Sequence, residues 1–275
     1  MSPLFWKHLR RKLFWIALLA TVWLLCSGQA WAGGLSDRVA AFPDWHSKPL
    51  VQPSEGDLVY PEWMAGNWQM QSTLVEMVAP LAPELVTPGF EGNRQFLNQP
   101  ISAPIRFVKA RVAGGRFLNR ALKTDKKWVS DRAFNGLSLA RASLGKDWVK
   151  AVKVDPDNPN RQVTFLRDNQ QLVSTVTGRA TEDPTPNDFI TTEIFQQFFR
   201  GGRSEAYLNT VENTTAYHYQ PSNGSAVTAD QITAVYLSPQ DPDYFKALNQ
   251  PVALYRYRLT FSVAGGASAS ESQSH

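Results

Sequence analysis

The chain has 275 residues, 28 of them Lys or Arg and 24 Asp or Glu, so its formal net charge is +4. Four of the basic residues and none of the acidic ones lie in residues 1–32, so the rest of the chain is neutral overall and gives no support for nucleic-acid binding. The single cysteine, Cys26, lies in the same segment, which excludes a disulfide, a thiol nucleophile or a cysteine-ligated metal in the remainder.

Residues 1–32 have the pattern of a secretory signal peptide. A positive region precedes the apolar stretch 13–28, and Ala30 and Ala32 supply the small residues of a cleavage site. The basic residues of the positive region are Lys7, Arg10, Arg11 and Lys12. The apolar stretch is shorter than the roughly 20 residues that span a bilayer, although an uncleaved anchor is the alternative. We therefore expect cleavage after Ala32 and export.

Alternating polar and apolar residues predict nine strands in the remainder of the chain. In the first, Trp68, Met70 and Leu74 share one face and polar residues occupy the other. The predicted strands are residues 67–74, 103–112, 148–154, 161–167, 171–179, 188–199, 206–219, 226–237 and 252–263. Short helices are predicted at 135–144 and 241–249.

The order of these elements predicts an all-β fold with few short helices. No segment alternates strand and helix as a parallel sheet requires. We predict an antiparallel up-and-down β-barrel of about 8 or 9 strands over residues 61–263, because closure removes exposed strand edges. Residues 33–60 are predicted to form an extended N-terminal arm, and the Gly-, Ala- and Ser-rich tail 264–275 to be disordered.

Gly66 and Trp68 begin the first predicted strand with the pattern Gly-x-Trp. This start resembles that of the lipocalin and calycin group, which implies a lipocalin-like barrel with the tryptophan at its closed end. The resemblance also implies that an arginine of the last strand packs across the tryptophan. Arg256 and Arg258 are the candidates for a cation–π contact with Trp68. A buried tryptophan of a β-sandwich is the alternative.

Residues 60–262 also resemble a family of uncharacterised exported proteins of cyanobacteria and chloroplasts. The resemblance is carried by long stretches such as "DRAFNGLSLARA" and "AVYLSPQDPDYFKA". The matching stretches are residues 74–97, 131–142, 152–166, 190–200 and 234–247. The resemblance implies a photosynthetic organism and a location in the periplasm or the thylakoid lumen, and it supplies no catalytic residue.

Arginines on the predicted strands are candidate ligand-binding residues. Arg256 and Arg258 are two positions apart on one strand and share a face with hydroxyl side chains, while Tyr257 lies on the other face. A planar guanidinium binds carboxylate or phosphate through two hydrogen bonds, as in fatty-acid-binding barrels that this arrangement resembles. Arg106 and Arg179 are expected to converge from other strands. The alternative is that this face is exposed to solvent and the tyrosines fill the core.

His218, the one histidine on a predicted strand, is a further candidate for ligand binding. Paired with a buried carboxylate such as Glu193 or Glu212 it could serve an enzyme, but no nucleophile-elbow pattern accompanies it. Acidic turns at 155–160 and 240–243 do not match a calcium loop. We therefore assign no catalytic residue, no metal site and no cofactor.

Residues 115–128 form a basic segment with interspersed apolar residues. Its candidate docking residues are Arg116, Arg120, Lys123 and Lys127. As a helix the segment is amphipathic and cationic, and so suited to anionic lipid or an acidic protein of a photosynthetic complex. As a loop it is a solvated insertion.

Three hypotheses about function follow. The first is an exported lipocalin-like protein that binds a small apolar ligand, such as a lipid, a carotenoid or another pigment with a polar end. The second is an assembly or stability factor for a photosynthetic complex that acts through its surface. The third is an isomerase-type enzyme on the same barrel. A cavity of several hundred cubic ångströms favours the first, and a filled barrel with an exposed apolar patch favours the second.

Overall fold

The computed structural model describes residues 34–87, 89–112, 126–202, 206–221 and 226–264. Within these ranges the protein consists mainly of β-strands. The strands are β1 Gln52–Pro53, β2 Val59–Tyr60, β3 Gly66–Val78, β4 Pro100–Arg111, β5 Lys126–Ser130, β6 Val149–Asp155, β7 Asn158–Leu166, β8 Gln171–Glu182, β9 Asp188–Arg200, β10 Tyr207–Gln220, β11 Ala226–Leu237 and β12 Ala253–Val263. The α-helices are α1 Leu35–Ala40, α2 Arg132–Leu144 and α3 Tyr244–Ala247, and 3-10 helices cover Glu62–Met64, Glu91–Phe96 and Arg167–Asn169.

All the strands pair antiparallel in a single sheet. Its order is β2-β5-β4-β3-β12-β11-β10-β9-β8-β7-β6, and β1 pairs with the part of β8 beyond the end of β7. The predicted all-β, up-and-down fold is confirmed, with the nine predicted strands and both predicted helices present. The sheet has twelve strands rather than eight or nine. The additional ones are β1 and β2, of two residues each, and β5, whose two leading lysines hide its alternation.

The sheet curls into a half-barrel that a helix completes. α2 contacts β4 near one edge of the sheet and β6 and β7 at the other. Asn135 of α2 accepts a hydrogen bond from the backbone nitrogen of Arg106 at 2.8 Å and donates one to its oxygen at 3.0 Å. These two bonds satisfy the backbone nitrogen and oxygen of Arg106 on β4, just beyond the point where the pairing of β4 with β5 ends. The helix therefore occupies the place of a strand along this part of β4.

The concave face of the sheet holds the main core. The ring of Tyr60 lies 4.7 Å from that of Phe107 on β4 and 5.7 Å from that of Phe189 on β9, although five pairing steps separate these strands. Only a strongly curved sheet brings such distant strands to one ring. The buried members of this core are Met64, Trp68, Met70, Ala103, Ile105, Phe107, Val227, Ala229, Leu259 and Phe261. Aromatic and aliphatic side chains therefore fill the interior at the end of the sheet where β3 begins.

Trp68 is part of this inner core, but the predicted arginine contact is wrong. Its indole nitrogen donates to the Met64 oxygen at 2.9 Å, and its ring meets Phe261 edge-on at 6.4 Å. Arg256 and Arg258 lie on the opposite face of β12, since their neighbours Leu259 and Phe261 are the ones that point inward. Neither arginine can stack on Trp68, because strand alternation separates them by the thickness of the sheet.

The N-terminal arm covers part of the outer, convex face. Trp45 is 2% exposed and packs on Ile232, Ala234, Tyr236 and Leu254, whose side chains point away from the inner core. The segment 33–60, predicted to be extended, contains α1, and its β1 and β2 pair with the sheet. The sheet is therefore buried on both faces along part of β11 and β12.

Candidate functional site

Cross-strand rows of side chains organise the outer face of β9, β10, β11 and β12. Because the four strands are paired in register, each row contributes one residue per strand. The first row is Asp188, His218, Thr228 and Thr260, and the second is Ile190, Ala216, Asp230 and Arg258. The third is Thr192, Thr214, Ile232 and Arg256, and the fourth is Ile194, Glu212, Ala234 and Leu254.

The first two rows form the floor of an open cleft of about 560 Å³, because the arm lies over the third and fourth. Ser36 and Pro184 line one wall of this outer cleft. The side chains on its floor and rim are Asp188, Ile190, Ala216, His218, Asp230 and Arg258. Two residues that the sequence predicted as ligand-binding, Arg258 and His218, are thus brought into one cavity.

At one end of the outer cleft, Asp188 and His218 form a hydrogen-bonded pair. His218 Nδ1 lies 2.6 Å from Asp188 Oδ1, with 53% of the histidine side chain exposed. Thr185 Oγ1 donates to the other carboxylate oxygen at 2.6 Å. The hydrogen bond from Thr185, and then that from His218, lowers the pKa of Asp188 below its ordinary value. The carboxylate therefore stays ionised and orients the imidazole.

At the other end, Arg258 presents a guanidinium that no described side chain neutralises. Asp230 lies directly opposite it on β11, but the carboxylate of Asp230 accepts two hydrogen bonds from Arg256, each of 3.2 Å. The hydrogen bond to Asp230 raises the pKa of Arg256. Within the described part of the chain, Arg258 has neither an ion-pair partner nor a hydrogen-bond partner. This leaves an exposed cation in the same cleft as Ile190 and Ala216, which lie beyond Asp230 in the second row.

The remaining predicted arginines lie elsewhere, so the expected convergence is wrong. Arg106 pairs with Asp131 at 2.6 Å and lies over the ring of Phe134, both next to the start of α2. Arg179 points to the interior, where its guanidinium meets Glu193 at 2.6 Å. The candidates therefore occupy three places in the fold. Arg258 alone among them lines a cavity with a guanidinium that no described residue binds.

An ionic cluster that the sequence did not reveal lies in the interior. Glu193 Oε1 accepts from Arg132 at 2.8 Å and from Arg179 at 2.6 Å. Burial by itself raises the pKa of Glu193, but the two positive charges and their hydrogen bonds outweigh it and lower that pKa. Asn160 also accepts from Arg179, at 2.9 Å. Arg132 is the first residue of α2, which is distant in sequence from β8 and β9. No sequence spacing indicates that Arg132 contacts these two strands.

A second cleft of about 630 Å³ runs between residues 50–55 of the arm and β8. Its one cationic lining residue is Arg179, and Glu193, Asn160 and the Gly56 oxygen already bind that guanidinium. Among the described residues, this cleft therefore offers no unpaired cation to a ligand, and its other charged lining residue, Glu55, is acidic.

The arrangement does not support the carboxylate pairs considered for an enzyme. Glu212 lies beneath the arm and Glu193 on the inner face, so neither meets His218, whose partner is Asp188. Among the described residues, no group of three or more His, Cys, Asp or Glu could hold a metal. Over the same ranges, no helix is long and apolar enough to cross a membrane.

Of the predicted docking segment, residues 115–128, the structure describes only residues 126–128. Arg116, Arg120 and Lys123 lie outside the described residues, as does the predicted signal peptide, residues 1–32. Lys127 is exposed on β5. The use of this segment as a docking site therefore stays a prediction.

Comparison with protein families matches residues 53–264 to a family described as "Domain of unknown function (DUF6816)". The match covers most of the chain, so the protein belongs to this family. No curated protein and no solved structure matches the chain.

Proposed function

We propose that this member of the DUF6816 family is a binding protein for a small organic anion with an apolar body, held in the outer cleft. The observation that carries the proposal is the unpaired guanidinium of Arg258, which shares one cavity with His218. The sequence left open whether the barrel is filled or hollow. Its inner core consists of packed side chains, so we propose the ligand site on the outside of the sheet rather than inside it.

The dimensions of the outer cleft suit such a ligand. Its volume of about 560 Å³ falls within the range of small-molecule sites, roughly 300–1,000 Å³. Arg258 and His218 lie on strands two positions apart and in neighbouring rows, hence about 12 Å from each other across the sheet. A ligand whose anionic group binds Arg258 and whose body covers Ile190 and Ala216 reaches the imidazole with its far end.

The charges select an anion. Asp230 is ion-paired with Arg256, and Asp188 is hydrogen-bonded to Thr185 and His218. Among the described residues, Arg258 is therefore the charged side chain of the cleft that has no polar partner. A guanidinium binds carboxylate or phosphate through two parallel hydrogen bonds, which makes either group a suitable ligand head. Farther along the cleft, Ile190 and Ala216 then favour a hydrocarbon or ring system as the body of the ligand.

A matched pair of probes tests this proposal. We expect decanoate to shift the NMR signals of cleft residues and to bind at least about tenfold more tightly than decanol, because only decanoate offers a charge-assisted hydrogen bond to Arg258. Arg258→Ala removes this preference, whereas Arg94→Ala, at an exposed arginine paired with Glu91, retains it. Equal binding of both probes, or shifts confined to other parts of the sheet, would contradict the proposal.

We also propose that the protein is exported, in a photosynthetic organism, and works in the periplasm or the thylakoid lumen. The support is the positive region, the apolar stretch and the small residues before Gly33, together with the resemblance to exported proteins of cyanobacteria and chloroplasts. N-terminal sequencing of the protein purified from its host is expected to begin at Gly33. A chain that retains Met1 would exclude cleavage.

A further inference from the structure

Five neighbouring strands end at the same edge of the sheet, and large apolar side chains are exposed there. The edge is formed by the first residues of β6, β8 and β10 and the last residues of β7 and β9. The exposed fractions are 47% for Trp148, 36% for Phe198, 37% for Phe199 and 41% for Tyr207. We call these four residues the aromatic rim. Adjacent exposed apolar side chains are unfavourable in water and mark interaction surfaces.

Ordered backbone and side-chain contacts hold the rim. The rings of Phe199 and Tyr207, which are paired across β9 and β10, have centroids 6.4 Å apart. The backbone oxygen of Trp148 accepts a hydrogen bond from the Arg167 nitrogen at 2.9 Å. Arg200 donates to the side chain of Gln171 at 3.1 Å, which links β9 to β8. The aromatic side chains are therefore presented from paired strand ends.

The rim lies in a positively charged setting. The segments 141–150, 165–172, 196–202 and 206–208 contain five Lys or Arg and two Asp. Burial, and then the charge of Asp241, raises the pKa of Tyr207, so one further carboxylate lies near the rim. The basic residues are Arg141, Lys146, Lys150, Arg167 and Arg200. None of these five forms an ion pair with a described residue. The guanidinium of Arg167 lies 5.8 Å from the centroid of the Trp148 ring, so charge and aromatic surface are intermixed.

We propose that this edge docks on the surface of an anionic lipid bilayer. Tryptophan and tyrosine favour the membrane–water interface, where the ring enters the headgroup region and its polar atom stays hydrated. Each Lys or Arg close to an anionic membrane contributes about 1 kcal/mol of attraction. Aromatic side chains among cations match these two layers. The rings of Phe199 and Tyr207 lie on one face of the sheet at its end, and that of Phe198 lies on the other.

The docking surface and the outer cleft are used independently. Asp188, at the cleft, begins β9, and Arg200, at the rim, ends it, so the two sites lie about 40 Å apart along one strand. The membrane proposal therefore does not depend on the proposed ligand. It also uses a part of the chain different from residues 115–128, because β4 ends and β5 begins at the end of the sheet remote from the rim.

Co-sedimentation with vesicles tests the proposal. We expect the protein to sediment with vesicles of phosphatidylcholine and phosphatidylglycerol, to release at high salt, and to remain in solution with phosphatidylcholine alone. Trp148→Ser combined with Phe199→Ser is expected to weaken binding at least about tenfold, through the apolar area lost from the bilayer. Leu50→Ser is the matched control, because Leu50 is 68% exposed but lies in the arm.

Urea unfolding of each variant establishes that the fold is retained. Absence of binding to the anionic vesicles would overturn the proposal. Equal binding by the double variant and the Leu50→Ser control would also overturn it, since the rim would then not be the contact. Loss of a host protein from the double variant, without any vesicle binding, would make the rim a protein interface instead.

Discussion

The guanidinium of Arg38 meets both carboxylate oxygens of the fully buried Glu212, at 2.6 and 2.7 Å. Tyr236 and Thr214 donate to the same carboxylate, each at 2.7 Å, so its charge is completely enclosed. Arg38 belongs to the short helix of the arm and also lies 3.8 Å from the centroid of the Trp45 ring. The arm is thus anchored to the outer face by one ion pair as well as by apolar contact.

Arg38→Ala is expected to be strongly destabilising. It leaves the carboxylate of Glu212 buried without its counter-ion, which costs about 3–5 kcal/mol. Urea unfolding measures the loss, and limited proteolysis detects whether the arm separates first. Arg94→Ala is the control: it breaks an ion pair on the surface, so we expect no measurable change. Equal stability of the two variants would show that the arm is held by apolar contacts alone.

The interior ionic cluster makes stability depend on acid pH. Because the pKa of Glu193 is lowered in the folded state, its contribution is fully present above the unfolded-state value of about 4.3 and disappears as the pH falls through the lower folded-state value. Glu193→Gln is expected to lower the free energy of unfolding at pH 7 by about 3 kcal/mol. It also flattens the acid limb of stability against pH, measured by urea unfolding. If the free energy of unfolding falls at acid pH as steeply in Glu193→Gln as in the unchanged protein, other carboxylates cause its pH dependence.

Gly66 has a backbone angle φ of +98°, which residues with a side chain rarely adopt. An added Cβ meets no atom within 4 Å, so Gly66→Ala tests the backbone alone. We expect a loss of about 1–2 kcal/mol in the free energy of unfolding, because the alanine is strained at this φ. Gly92→Ala, also in open space but without a positive φ, is expected to be neutral or slightly stabilising. Equal effects would contradict the conformational explanation.

Asn135 joins α2 to the exposed part of β4. Asn135→Ala leaves the partly buried nitrogen of Arg106 without this acceptor, at a cost of about 1 kcal/mol. Hydrogen exchange at Arg106 and urea unfolding measure the effect. Ser143→Ala is the control, since Ser143 is exposed on the same helix and alanine is a better helix former. Unchanged protection of the Arg106 amide would mean that the helix does not stabilise this edge.

Thr185→Ala is expected to raise the pKa of Asp188 toward its ordinary value, because the hydrogen bond from Thr185 is the main cause of the lowered pKa. A carbon-13 NMR titration of the carboxyl group measures it directly. Thr181→Ala, at an exposed threonine on the neighbouring strand, should leave the pKa of Asp188 unchanged. If the pKa of Asp188 stays low in Thr185→Ala, the hydrogen bond from His218 is its main cause instead.

The strands of this protein are readable from its sequence, since residues two apart on a strand share a face and the hydrophobic pattern records this period. Trp68 and Met70 were assigned to one buried face in this way, and the structure confirms it. The closure of the sheet was not readable, because a helix completes it. The bonds of Asn135 to Arg106 join residues on different elements, and neither residue type indicates such a contact.

Alternation also placed Arg256 and Arg258 together, opposite Leu259 and Phe261, but it could not say which face is inside. A period of two is the same seen from either side of the sheet, and here the arm buries part of the outer face as well. The sequence by itself therefore determined nine of the twelve strands, their antiparallel order and the residues that share a face. The tertiary structure alone decided that Arg258 lies in an open cleft beside His218, because curvature and the path of the arm bring together residues that are far apart in the chain.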